Sequence, residues 1–191
     1  YTPELTNKRE LVSINKNMVI CDDDWWTIKG QTYHSFVIVE NKKVIYDSNH
    51  VEGLKADIDI SLYDAYLSSD EVIYTNNTWK NNICFYDNKE YNTLIKAKSG
   101  NNPIRIYDHN TFIIEEDFAK RVGKSKENLY VYFMDINAEM DSFTITNNIF
   151  DLYDIRFQIS SRYINKLVFS DNQLTSKYAS GRMFISRIID N

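Results

Sequence analysis

Two cysteines, three histidines and a run of three aspartates are the residues of this chain best suited to chemistry. Most of them fall between Met18 and His50, in MVICDDDWWTIKGQTYHSFVIVENKKVIYDSNH. A cysteine nucleophile needs a histidine to accept its proton and a third polar group to orient the imidazole. Cys21 with His34 is one such arrangement. Cys84 with His34, oriented by Asp47, is another. Either would support a small cysteine-dependent hydrolase or deamidase. The alternative is a Cys21–Cys84 disulfide, or two buried thiols, because two cysteines match a single bond in an oxidising compartment.

The same stretch raises two further chemistries. Asp22, Asp23 and Asp24 with His34, His50 or His109 are residue types that could coordinate a cation. Consecutive aspartates on a strand point different ways, and neither the ordered loop of a calcium site nor close His/Cys spacing for zinc is present. The expectation is an acidic turn, with no metal and no cofactor. Trp25, Trp26 and Tyr33 sit among polar residues, where aromatic side chains anchor partners or ligands. They are the candidate binding residues.

The elements that must position these groups are strand-rich. Leu11 to Ile20 reads as a first strand. Ser35–Val39 and Val44–Tyr46 flank a short polar turn and read as a hairpin. From Ile60 to Val72 apolar residues recur at three and four, which predicts a helix capped by Ser61. Ile73-Tyr74 and Ile83–Tyr86 read as short strands separated by polar Asn76–Asn82, and Glu90 to Lys98 is ambiguous. Ile104–Ile106 alternates as a strand. Glu115 to Val122, closed by Gly123, reads as a helix with acids first and bases last, which suits its dipole. Four strands follow, at Leu129–Ile136, Phe143–Thr146, Leu152–Ile159 and Tyr163–Phe169, and Arg182–Ile188 closes the sheet. No internal repeat is evident.

The fold class expected is therefore α+β, strand-rich and mainly antiparallel, sandwich or barrel-like, with two short helices. Lys98–Pro103 is the candidate boundary. It divides a smaller sheet-plus-helix unit (residues 1–98) from an antiparallel β-rich unit (residues 99–191), unless the two form one continuous domain.

Three local resemblances attach to these residues. The order of Cys21 and His34 is similar to that in cysteine deamidases of the bacterial toxin type, although Val19-Ile20 stands where those carry small residues. His34 followed by Asp47 on the next strand resembles the His and Asp strands of papain-like folds. Circularly permuted members of that group place the cysteine downstream, as Cys84 would be. Ser69-Asp-Glu-Val-Ile-Tyr-Thr-Asn-Asn-Thr-Trp79-Lys-Asn-Asn-Ile-Cys84 resembles the start of the periplasmic domain of ToxS-type regulators. That resemblance implies a small β-barrel partnering a membrane protein.

Composition narrows the classes. The chain has 191 residues, 43% of them apolar, and a net charge of −5. This excludes a disordered chain and offers no basic footprint for nucleic acid. No apolar run is long enough to span a bilayer. Phosphate loops, dinucleotide glycine fingerprints and serine elbows are absent. The chain begins at Tyr1 rather than Met, as expected of a processed or truncated product. Asn76-Asn77-Thr78 is the only glycosylation sequon. Together these favour an extracytoplasmic, bacterial, non-enzymatic binding domain of regulatory, immunity or adhesion type. It would recognise a protein or a small ligand, with the thiol enzyme as the alternative.

Thiol titration of the denatured, unreduced chain separates the two. No free thiol is expected from the disulfide-bonded binding domain. Rapid alkylation of one cysteine at neutral pH would instead mark a depressed thiol pKa and favour the enzyme.

Overall fold

A computed structural model describes residues 10–20, 41–53, 55–56, 69–85, 91–98, 104–123, 130–153, 156–175 and 184–186. Six short segments share one pattern. An apolar residue alternates with an outward one, a polar residue closes the strand, a second residue turns the corner, and asparagine follows. They read Val-Ser-Ile-Asn-Lys-Asn17, Val-Ile-Tyr-Asp-Ser-Asn49, Val-Ile-Tyr-Thr-Asn-Asn77, Arg-Ile-Tyr-Asp-His-Asn110, Phe-Thr-Ile-Thr-Asn-Asn148 and Leu-Val-Phe-Ser-Asp-Asn172.

Before each corner runs a strand of the first sheet. These are β1 (Leu11–Asn15), β3 (Lys43–Asp47), β6 (Glu71–Thr75), β10 (Ile104–Asp108) and the ends of β12 (Tyr130–Thr146) and β14 (Arg156–Ser170). They lie side by side in chain order, each parallel to the next and in matched register. After each corner runs a strand of the second sheet. These are β2 (Met18–Ile20), β4 (His50–Glu52), β7 (Thr78–Lys80), β11 (Thr111–Ile114), β13 (Ile149–Leu152) and β15 (Gln173–Thr175), again parallel and in chain order. The chain thus stacks rung on rung as a parallel β-solenoid, in which each repeat contacts its neighbours.

The first sheet continues past these six strands. The N-terminal part of β12 pairs in parallel with β9 (Tyr91–Lys98), and β14 pairs with β16 (Phe184–Ser186). Beyond β9 come β8 (Ile83–Phe85) and β5 (Lys55–Ala56). The β8–β9 pair is antiparallel, and every other described pairing is parallel. Register slips at Tyr132/Met134 and Ile136/Glu139 mark bulges where β12 and β14 bend. One helix, α1 (Glu116–Gly123), follows β11. Its first turn holds Glu116 and Asp117, and Phe118 buries into the core.

The corner is held by asparagine side chains. Residues Lys16, Ser48, Asn76, His109, Asn147 and Asp171 all have φ between 56° and 57° or, for Asn76, 55°. Their left-handed backbone turns the chain, and asparagine, aspartate and histidine accept that region better than most residues. The next residue is the ladder asparagine. Asn77 Oδ1 accepts from the Asn49 backbone N–H and from Asn49 Nδ2, both at 2.9 Å. Asn77 Nδ2 donates to the Tyr46 carbonyl one rung back and to Asn110 Oδ1 one rung ahead. Asn110 repeats this with the Tyr74 carbonyl and Asn148, and Asn148 with the Tyr107 carbonyl and Asn172. Both amide hydrogens and both oxygen lone pairs are thereby used, which satisfies backbone N–H groups buried at the corner.

Inside, like stacks on like. Val44 and Val72 share one inward row, and Tyr46, Tyr74 and Tyr107 share the next. The three tyrosine rings stack at 4.9 and 4.7 Å, and Phe112 stacks on Phe150 at 5.2 Å. Arg105 occupies the valine row and is only 2% exposed.

Several expectations need correction. The sheets are parallel, so the mainly antiparallel sandwich or barrel is not the fold. Alternation of apolar and polar residues reports only which face is dry. It reads alike for either strand direction. One wet face usually signals antiparallel pairing, because parallel sheets are normally covered on both sides by crossover helices. A solenoid instead lets parallel strands keep one face in water. The limb of the predicted hairpin at Ser35–Val39 lies outside the described residues. Its other limb, β3, has β1 and β6 on its two edges, so neither edge takes an antiparallel partner. Most of the predicted helix Ile60–Val72 also lies outside, while Glu71 and Val72 belong to β6. The Ser69–Cys84 stretch builds one rung through β6, β7 and β8 rather than a barrel. A repeat is present where none was evident.

The ladder generates a position-dependent expectation. Asn110→Ala leaves the Asn77 donors and the Tyr74 carbonyl without their partner in a buried corner, a loss of about 3 kcal/mol. Asn17→Ala, at the exposed end, loses about 1 kcal/mol or less. Urea unfolding of the two variants checks this, and equal losses would refute the ladder as the stabilising element.

Candidate functional site

With alternate side chains turned inward, the outer faces of the sheets present the other half. On the second sheet two outward rows run across the rungs. Met18, His50 and Thr78 form one; Ile20, Glu52, Lys80 and Ile113 form the other. Met18 is 73% exposed and Ile20 61%. Beside them stands a charged network. His50 Nε2 lies 3.3 Å from Glu52 Oε2. Lys80 Nζ reaches Glu52 Oε1 at 3.0 Å and Glu115 Oε1 at 3.1 Å. Asn81 Nδ2 donates to the second Glu115 oxygen at 2.9 Å, and the Glu115 backbone N–H donates back to Asn81 Oδ1.

Chain geometry explains why these meet. Gly53 and Asn81 both have positive φ and turn the chain at the far end of the second sheet. Their N–H groups donate to the Lys80 and Ile113 carbonyls, which fixes three rungs in step. Strand register then brings Glu52 and Lys80 side by side. The hydrogen bonds to Glu52, and then to Glu115, push the Lys80 pKa above its ordinary value. Lys80 therefore stays charged at neutral pH and is a poor amine nucleophile. The network holds Lys80 between two carboxylates in a fixed pattern of charge.

A second polar row runs along the first corner. Asp47 accepts from Asn76 Nδ2 at 2.9 Å. Asp108 accepts from Asn147 Nδ2 at 2.9 Å and from Thr146 Oγ1 at 2.8 Å, and its other oxygen lies 2.8 Å from His109 Nδ1. Burial works against ionisation of Asp108, but the hydrogen bonds from Asn147, His109 and Thr146, with the His109 charge, outweigh it. The carboxyl is held below its ordinary value.

The residues singled out from the sequence fare unevenly. Cys21, Trp25, Trp26, Tyr33 and His34 lie outside the described residues, as do Asp22, Asp23 and Asp24. Asp47 closes β3 and serves the corner. Cys84 lies in β8, in register with Ala56 and Thr93. His50 and His109 stand on different faces, each beside a carboxylate. No disulfide is found among the described residues, which include Cys84 but not Cys21. No group of three His, Cys, Asp or Glu able to hold a metal occurs among them. No helix among them is long and apolar enough to cross a membrane. Sequence reasoning missed Met18, Ile20, Glu52, Lys80 and Glu115. The aligned repeat would have placed the first four on one face.

The sign of the Asp108 effect fixes its pH dependence. A carboxylate with a lowered folded pKa stabilises above the unfolded value, near 3.9, and that stabilisation is lost as pH falls through the folded value. Asp108→Asn is therefore expected to be less stable than wild type at pH 7. The two should converge in urea midpoints as pH falls through and below the lowered folded value. A constant difference across that range would show that the charge of Asp108 is irrelevant.

No family model, curated protein or solved structure matches this chain.

Proposed function

We propose that this chain is a non-enzymatic, extracytoplasmic binding domain that recognises a protein partner through the outer face of its second sheet. One observation carries the reading: Met18 and Ile20 stand exposed on that face, in register with the His50, Glu52 and Lys80 network. Large exposed apolar side chains flanked on one side by ordered polar groups suit a protein interface, which combines apolar anchors with a polar margin. A small ligand is a poorer fit, because such ligands favour concave sites and this patch lies on the outward face of a sheet. The extracytoplasmic placement is supported by the even cysteine count.

Tagged wild-type chain, Met18→Asp, Ile20→Asp and a control, Ile73→Asp on the outer face of the first sheet, test the reading by affinity purification from the source. A partner held by wild type and by the control, but weakened about ten-fold or more by either substitution on the second sheet, is the expected result. Equal retention by all four chains would sink it.

A further inference from the structure

The two ends of the solenoid differ in the hydrogen-bonding groups they offer. At the first rung, Asn17 Oδ1 receives no donor from another described residue, and Asn17 Nδ2 folds back to its own Asn15 carbonyl. At the last rung, Asn172 Oδ1 accepts twice from Asn148 and Asn172 Nδ2 donates to the Ile145 carbonyl. Its backbone N–H and second amide hydrogen find no further rung among the described residues. The ladder thus ends in an acceptor at one end and in donors at the other.

Both end rungs also carry exposed side chains. Leu11, Asn15, Lys16, Asn17, Met18 and Ile20 are exposed at one end, and Gln173, Leu174 and Thr175 at the other. Leu174 shares the inward row of the fully buried Phe150 and Val51, yet is 39% exposed. Among the described residues no strand covers the outer edge of β1, of β2, of β15 or of β14 from Ile164 to Ser170. Open parallel edges of this kind are templates for another strand.

The ends match each other. Asn15-Lys16-Asn17-Met18 and Ser170-Asp171-Asn172-Gln173 occupy the same places in the repeat. The five residues of β1 match in number the five of β14 that lead into its corner, and β2 and β15 have three residues each. In that frame Val12 falls on Leu167, Ile14 on Phe169 and Val19 on Leu174. At the turn, Lys16 falls on Asp171, placing opposite charges one rung apart.

We propose that the chain associates head to tail with a second copy, the last rung of one molecule stacking on the first rung of the next. Asn172 of one copy donates its backbone N–H and Nδ2 to Asn17 Oδ1 of the other, as Asn49 does to Asn77 within the chain. Both sheets continue across the junction, and Lys16 pairs with Asp171. Because the two surfaces differ, the contact is heterologous and leaves a fresh end at each step, so it builds linear oligomers rather than a closed dimer. The contact uses the strand edges of the end rungs, whereas the partner-binding reading uses the outward face of the second sheet; both involve β2, and the Lys16 and Asp171 reversals act on the junction alone.

Sedimentation velocity over a concentration series, with negative-stain microscopy, tests the junction. Wild type is expected to form linear species that lengthen with concentration. Lys16→Asp and Asp171→Lys each place like charges at the junction and are expected to raise the concentration for half-association about ten-fold. The double variant Lys16→Asp/Asp171→Lys is expected to recover wild-type association. Both substitutions sit on exposed left-handed turns where the other residue is already tolerated, and urea midpoints check that the variants remain folded. A wild type that stays monomeric up to its solubility limit overturns the proposal. So does association untouched by the single reversals, lack of recovery in the double variant, or a closed two-fold dimer.

Discussion

At the central first corners of this molecule, those of Asn49, Asn77 and Asn110, a buried backbone N–H finds no strand partner. An asparagine amide from the next rung receives it instead, and its own hydrogens go to the carbonyl behind and the amide ahead. Much else follows from that exchange. The residue before the asparagine adopts a left-handed conformation, and the chain passes there from one sheet to the other. The asparagines must lie in line, so adjacent rungs share one register. Once the register is shared, tyrosine stacks on tyrosine and phenylalanine on phenylalanine without further instruction. Chains of hydrogen bonds in a low-dielectric interior also polarise one another, which strengthens the central rungs over the ends.

Ordering the interior in this way leaves the outer faces comparatively unconstrained. Outward positions carry Lys43, Glu71 and Ile104 in a single row, with Lys43 and Glu71 joined as an ion pair. That freedom is where recognition can be written. Arg105 is the counterexample within the core: a guanidinium in an apolar row is costly to bury and needs compensating partners. Its presence shows that the inward rows admit exceptions where such compensation exists.

Local preferences were readable from residues alone. Val44-Ile45-Tyr46 and Ile104-Arg105-Ile106 are strands, and Glu115–Val122 differs by only one residue at each end from the observed helix. Strand direction was not readable, since alternation carries no sign. The repeat escaped notice for a different reason. Successive ladder asparagines are 32, 28, 33, 38 and 24 residues apart, so no fixed period exists to detect. Asn76-Asn77 and Asn147-Asn148 look like loop residues, and they are; their geometry is shared, but their spacing is not. The decisive signal was the six-residue phrase ending in asparagine. The candidate patch was invisible until that phrase set the rows, because Ile20, Glu52 and Lys80 are far apart along the chain and adjacent only through register.

Unequal spacing has a consequence for how such a molecule changes over generations. Register is restored at every corner by a handful of residues, whatever length of chain lies between. An insertion or deletion in a connecting segment therefore need not propagate to the neighbouring rungs, as it would in a repeat whose register depends on a constant period. Closing a longer loop adds little entropy cost, about 0.6 kcal/mol for each doubling of its length. The connections between corners are accordingly places where new segments can be acquired, tried and discarded while the stacked rungs persist.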